Sequence, residues 1–209
     1  VARPLDPVGP DPFADGLPTL DGVPAVGRAS RVRLRMPTAA DAPAVLRVFS
    51  DAEAMRYWSH EPLVGLDAAR RYIDGILDGW ADRSLFQWAI TLPPGTPEGD
   101  GGADALVGTV TLYEWDRRHR RVGIGFMLRR DLHGKGIAAE ATRAVLRFAI
   151  DAMDIHRFEA DADPDNAASR GLLTRLGFRE EGRCRERWFT FGTWKDSVLY
   201  GLLAADAPP

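Results

Sequence analysis

The sequence predicts an α+β domain in a three-layer α/β arrangement, with a mixed, mostly antiparallel sheet of about seven strands flanked by about four helices. Three observations predict it. Short apolar or alternating runs recur along the chain between turn residues, as strands require. Two segments, around 67–80 and 137–152, carry apolar residues at helical spacing. The length, 209 residues, suits one sizeable core rather than two.

The elements follow in order. Residues 1–30 hold six prolines, four glycines and four aspartates without periodicity, so they read as an extended or partly disordered arm that can drape over the domain. The domain is expected over 31–204, with a short tail at 205–209. A first strand spans 31–35. Thr38 and Asp41 form a capping box for a helix to about Ser50. The helix at 67–80 places Ala69, Tyr72, Ile73, Ile76, Leu77 and Trp80 on one stripe. Strands at 86–91 and 106–113 flank a proline- and glycine-rich loop, 93–104, that is long by hairpin standards. A strand at 122–128 leads through a glycine loop into the helix at 137–152, whose early positions are small. A strand at 156–162, a short helix from Asn166 to Gly177, and strands at 178–189 and 194–203 complete the sheet.

Composition excludes several classes. Apolar residues make up 45% and charged residues 27%, an ordinary globule, and the net charge of −3 provides no field for DNA or an acidic membrane. Arg117 to Arg121 is one local basic run, and a solvated turn is preferred over an RNA contact there. One cysteine, Cys184, rules out an intrachain disulfide and suits a reducing compartment. Flanking Arg183 and Arg185 could activate it as a nucleophile, but inert packing is the ordinary reading. No run reaches the roughly 18 apolar residues of a membrane span, and no signal segment is visible, so a cytoplasmic location is expected.

The most informative stretch is His133-Gly134-Lys135-Gly136-Ile137-Ala138, between a strand and a helix. Glycines there let backbone N–H groups converge on an anion, and the helix N-terminus adds attraction. A phosphate-bearing ligand is therefore the first hypothesis. A P-loop fails, because Arg129 and Gly136 stand where a glycine and a hydroxyl are needed. A dinucleotide fingerprint fits the letters, but five residues separate the strand from the first glycine.

The loop resembles the pyrophosphate-binding signature of the GCN5-related N-acetyltransferases, Gln/Arg-x-x-Gly-x-Gly/Ala, matched at Gly136 and Ala138 with His133 as a departure. Further resemblance lies in Arg33 to Ala42, in Met55-Arg56-Tyr57-Trp58, and in Asn166 to Arg170 followed by Leu172-Leu173 and Leu176-Gly177-Phe178. It covers about residues 31–204 and is strongest to the ribosomal-protein N-terminal (RimJ/RimL-like) branch.

That resemblance implies acetyl-CoA as donor, no metal, a sheet splayed at the donor site, and direct attack of an amine on the thioester. It places coenzyme A on Phe126, Met127, Leu128, His133, Gly134, Lys135, Gly136, Ile137, Ala138, Asn166 and Arg170. Asn166 is equally a helix N-cap. Ser169 is the candidate acid for the thiolate, since Leu173 occupies the position where many relatives have tyrosine. Gly123 stands where a general base is sought, leaving Glu114 and Glu186 as candidates with His119 behind them. Tyr57, Trp58, Tyr113 and Trp115 are expected to wall an acceptor groove. The expected acceptor is a protein or peptide N-terminus. The alternatives are a small amine (aminoglycoside, polyamine or amino-acid conjugate) or a silent acyl-CoA-binding module. A monomer or homodimer is expected.

Overall fold

The computed structural model describes residues 11–22, 30–93, 96 and 105–208. Eight strands form one sheet: β1 (Leu20–Asp21), β2 (Arg33–Arg35), β3 (Leu85–Thr91), β4 (Leu106–Asp116), β5 (Arg121–Leu128), β6 (Arg157–Ala162), β7 (Arg179–Thr190) and β8 (Thr193–Leu203). Their order is β1-β2-β3-β4-β5-β6-β8-β7. Every neighbouring pair is antiparallel except β5 and β6. Five helices cover the sheet: α1 (Ala42–Phe49), α2 (Ala52–Met55), α3 (Leu66–Ala81), α4 (Ile137–Met153) and α5 (Ala167–Arg175).

The α+β prediction holds, with one more strand and one more helix than expected. The extra strand, β1, comes from the proline-rich segment, where two residues pair with β2. The extra helix, α2, is a single turn. Asp51 caps it by accepting the N–H groups of Glu53 (3.0 Å) and Ala54 (3.3 Å), which satisfies donors that so short a helix cannot pair internally. Thr38 and Asp41 do form the expected capping contact, with the Thr38 N–H donating to Asp41 at 2.7 Å. Residues 1–10 and 23–29 of the arm, and 94–95 and 97–104 of the long loop, lie outside the described residues.

Each face of the sheet is covered. On one, α4 and α5 pack through Ala141, Val145, Ala149, Leu172 and Leu173 onto Leu112, Val122, Ile124 and Phe158. On the other, α1, α2 and α3 bury Val45, Phe49, Met55 and Ile73 against Ala89, Leu106 and Met127. Phe13 belongs to the first core at 1% exposure, stacked on Phe86 with ring centroids 4.1 Å apart.

What positions the site is the parting of β5 and β6. They pair only over Arg121–Gly123 and Arg157–Glu159. Beyond that register Ile124–Leu128 keep their bonds to β4, and Ala160–Ala162 keep theirs to β8. The facing edges therefore carry backbone groups with no strand partner, and a cleft opens between them.

Candidate active site

A cavity of about 1210 Å³ occupies this cleft and both its mouths. One end is built from the loop that follows β5. Leu128 is followed by a short 3-10 turn, Arg130–Leu132, and then by His133 to Gly136. Gly134 and Gly136 have φ of +75° and +81°, a region that costs an L side chain strain. A Cβ at Gly134 would meet nothing within 4 Å, so conformation rather than crowding demands glycine. The first N–H groups of α4 have no intrahelical acceptor, and Gly134, Gly136 and Ala138 at this junction line the cavity. His133 ties this loop to the strand, because its Nε2–H donates to the Leu128 carbonyl at 2.9 Å. Beneath the loop, Glu140 is 1% exposed and accepts the Arg31 N–H at 2.6 Å, while the Arg31 guanidinium donates to the Lys135 carbonyl at 2.9 Å.

Across the cleft, the Asn166 side chain accepts the Ser169 N–H at 3.0 Å and caps α5. That leaves its carboxamide nitrogen for a ligand. Phe126, Met127, Leu128, His133, Gly134, Gly136, Ala138, Asn166 and Ser169 all line the cavity. Lys135, Ile137 and Arg170 do not. Ile137 is in the core at 1% exposure, and Lys135 is exposed. Arg170 is engaged by the Tyr200 hydroxyl (3.0 Å) and the Pro164 carbonyl (3.0 Å).

The other end is built from side chains. Tyr57, Trp58, Tyr113 and Glu114 line it, as does Trp188. Tyr113 lies across Gly123, its register partner, and a Cβ on Gly123 would sit 2.4 Å from the ring. The position where a carboxylate was sought is thus held open for an aromatic ring. Burial, reinforced by the charge of Asp161, pushes the Tyr113 phenol up to about 12 and keeps it protonated. Deeper in, Gln87 is 3% exposed, and its oxygen accepts the hydroxyls of Thr111 (2.9 Å) and Tyr72 (3.1 Å). Burial raises Tyr72 to about 12 as well.

Two β-bulges decide which expected residues reach this end. In β4 the register shifts between Tyr113 and Asp116, with Glu114 at φ +53°. The bulge turns Trp115 to the opposite face, where it meets Phe86 at 5.8 Å and Phe13 at 6.1 Å. Trp115 therefore does not line the cavity. In β7 the shift falls between Cys184 and Trp188, with Glu186 at φ +50°. Trp188 is delivered to the cavity, whereas Glu186 faces a separate depression with Cys184, Arg185 and Asp196. The Glu186 N–H donates to Asp196 at 2.9 Å. His119 lies in the exposed turn between β4 and β5, where Arg120 pairs with Asp154 and Arg121 with Glu159.

Residues 31–179 match the family model for the acetyltransferase (GNAT) domain. The chain belongs to the GNAT acetyltransferase family. This GNAT protein is 28% identical over 173 residues to YoaA, an uncharacterized N-acetyltransferase of Bacillus subtilis, a match covering 83% of this chain and 93% of that one. It is 36% identical over 86 residues to the ribosomal protein uS5-alanine N-acetyltransferase of Escherichia coli, covering 41% of this chain and 44% of that enzyme. Among solved structures, Mycobacterium smegmatis RimJ in complex with CoA-disulfide superposes with a TM-score of 0.75 at 26% identity, over 92% of this chain and 90% of that one. The GNAT chain is thus an N-acetyltransferase, and its cavity is the candidate active site. Among the described residues no cluster of side chains is arranged to hold a metal ion.

Sequence reasoning missed Gln87, Trp188 and Asp161. For Asp161 a signal existed. In β6, Arg157, Glu159 and Asp161 alternate with buried Phe158, Ala160 and Ala162, which places a charged face on a central strand.

Proposed function

We propose that the enzyme transfers an acetyl group from acetyl-CoA to the α-amine of a protein or peptide. The observation that carries this reading is the character of the acceptor end. It is wide and aromatic, and of its carboxylates Glu53, Glu159, Glu181 and Asp196 are paired with arginines, which leaves Glu114 and Asp161 beside Arg187 and Lys195 instead of an acidic pocket suited to a polycation. An N-terminal peptide, with one ammonium and neutral backbone behind it, fits such a surface.

Donor binding suits the loop end. The positive-φ glycines and the first turn of α4 supply N–H groups for a pyrophosphate. The unpaired edge of Phe126–Leu128 offers backbone partners to the pantetheine amides, and the free Asn166 nitrogen offers another donor. When bound, acetyl-CoA supplies the activated acyl group. The chain's own residues orient the amine, exclude water and handle protons. Ser169, beside the cleft in the first turn of α5, is assigned to protonate the departing sulfur; buried Leu173 cannot. A strong base is unnecessary for this acceptor, because an α-amino group titrates near about 7.7–8.0 and a lysine near about 10.4.

The test is thiol release from acetyl-CoA with peptides carrying free or blocked N-termini, and with spermidine. Release that requires the free terminus supports the α-amine. Release that ignores blocking, or prefers spermidine, moves the acceptor to a side-chain or small amine.

A further inference from the structure

One carboxylate at the acceptor end has hydrogen-bond donors but no cation. Asp161 lies past the last β5–β6 pair, on the face of β6 shared with Glu159 and turned away from the core. Its Oδ2 accepts from Ser197 Oγ at 2.6 Å and from Trp188 Nε1 at 3.0 Å. Ser197 is fully buried, and Trp188 is aimed here by the β7 bulge, so the carboxylate is fixed from behind. Both bonds fall on one oxygen, which leaves Oδ1 for a ligand.

Most neighbouring carboxylates on this wall already have a cation, and Glu114, which has none among the described residues, also lacks the donors that would fix it. Glu159 accepts from Arg121 and Arg157, Glu181 from Arg157, and Asp196 from Arg183. Among the described residues, no cation is bonded to Asp161. A fixed, half-buried anion that lacks a cation, on the wall of a cavity for amines, is a place for an ammonium group.

We propose that Asp161 receives the acceptor amine, with Oδ1 accepting an N–H of the incoming nitrogen and taking its first proton. This rests on the amine-acetylating reading above. The ammonium gives one proton to Asp161, which passes it to solvent. The freed lone pair then forms the N–C bond at the thioester carbonyl, and the C–S bond breaks with its electrons on sulfur. The nitrogen loses a second proton as the thiolate gains one. Ammonium and thioester thus become amide, thiol and one released proton. Ser197 and Trp188 are positioning residues that hold the carboxylate.

Asp161→Asn in the full chain is the decisive variant. The carboxamide can keep its oxygen toward Ser197 and Trp188 and turn its NH₂ to the cavity, so the fold persists while the charge is lost. With an amine that the wild type acetylates, kcat/KM is expected to fall about 100-fold or more, and acetyl-CoA affinity to stay within about twofold. Ser197→Ala, which frees the carboxylate to rotate, is expected to cost about tenfold or less. A second reading is independent of turnover. The Trp188 indole N–H resonance, assigned with Trp188→Phe, should move when amine is added to the coenzyme A complex of the wild type and stay fixed in Asp161→Asn. Wild-type kcat/KM in Asp161→Asn would overturn the proposal, as would a Trp188 resonance indifferent to amine. If the wild type acetylates neither peptide nor spermidine, the acceptor assignment alone has failed; n-butylamine then serves as the resonance probe, and no movement overturns the role of Asp161.

Discussion

The two ends of the cavity are made of different material. At the loop end the chain presents backbone: two positive-φ glycines, a helix N-terminus and an unpaired strand edge. At the acceptor end it presents side chains from five strands and the α2 region, among them Gln87, Tyr113, Asp161 and Trp188, with Tyr113 and Trp188 aimed by two bulges. A site made of backbone binds what every reaction of the family shares. A site made of side chains can be rebuilt residue by residue, so acceptor choice can change without disturbing the donor.

Variants should therefore separate the two ends. Beside Asp161→Asn, Ser169→Ala should have the largest effect, lowering kcat about 100-fold in steady-state assays while acetyl-CoA affinity is kept; full activity would remove Ser169 from the chemistry. Gly136→Asp adds strain at φ +81° and a negative charge to the loop. Calorimetry should find acetyl-CoA binding weakened about 10–100-fold, and denaturant melts a stability loss of about 1 kcal/mol from the strain. Gly123→Ala tests the other end, since its methyl must displace the Tyr113 ring. It should destabilise by about 1–3 kcal/mol in denaturant melts and raise KM for the amine, leaving donor affinity alone. Equal changes in donor and acceptor parameters would erase the distinction between the two ends.

An effect on stability alone concerns the start of α1, where Asp41 stands at the N-cap. Burial works to raise the Asp41 carboxyl, but bonds from Arg35 at 2.7 and 2.8 Å and from Thr38 outweigh it and hold the group below its ordinary value. A depressed carboxyl stabilises the fold above the unfolded value of about 3.9, and that contribution is lost as pH falls through the folded value. Asp41→Asn should thus cost about 1–3 kcal/mol in urea melts at pH 7 and progressively less on acidification below about pH 4.

The same contrast explains what the sequence made legible. Helical stripes, the capping box and the glycine loop are local patterns, and they map onto α1, α3, α4 and the loop end. The acceptor end depends on non-local register. Tyr113 and Trp115 share a face in a regular strand, and only the bulge at Glu114 separates them. Glu114 and Glu186 drew notice as carboxylates, but each sits at a bulge with positive φ, and only Glu114 lines the cavity. The charged alternation of β6 is visible in the sequence, but the setting of Asp161 depends on Ser197 of the neighbouring strand β8 and Trp188 of the edge strand β7 converging on it. The two-residue β1 and the one-turn α2 are too short for any periodicity to register.

Residues 11–22 are moored to the catalytic apparatus. Phe13 fills the core, Trp88 donates to the Pro18 carbonyl at 2.8 Å, and Gly22 lies so close to Glu140 that a Cβ would come within 2.8 Å of its side chain. Glu140 stands in the first turn of the very helix that opens at Gly136, and it also holds the Arg31 N–H. A truncation drawn at the family boundary would cut this mooring, baring aromatic core and loosening the start of α4 beside the glycine loop. The unit that folds therefore begins upstream of the unit that family comparison recognises, and any tag or fusion joined near Gly22 would be felt at the glycine loop.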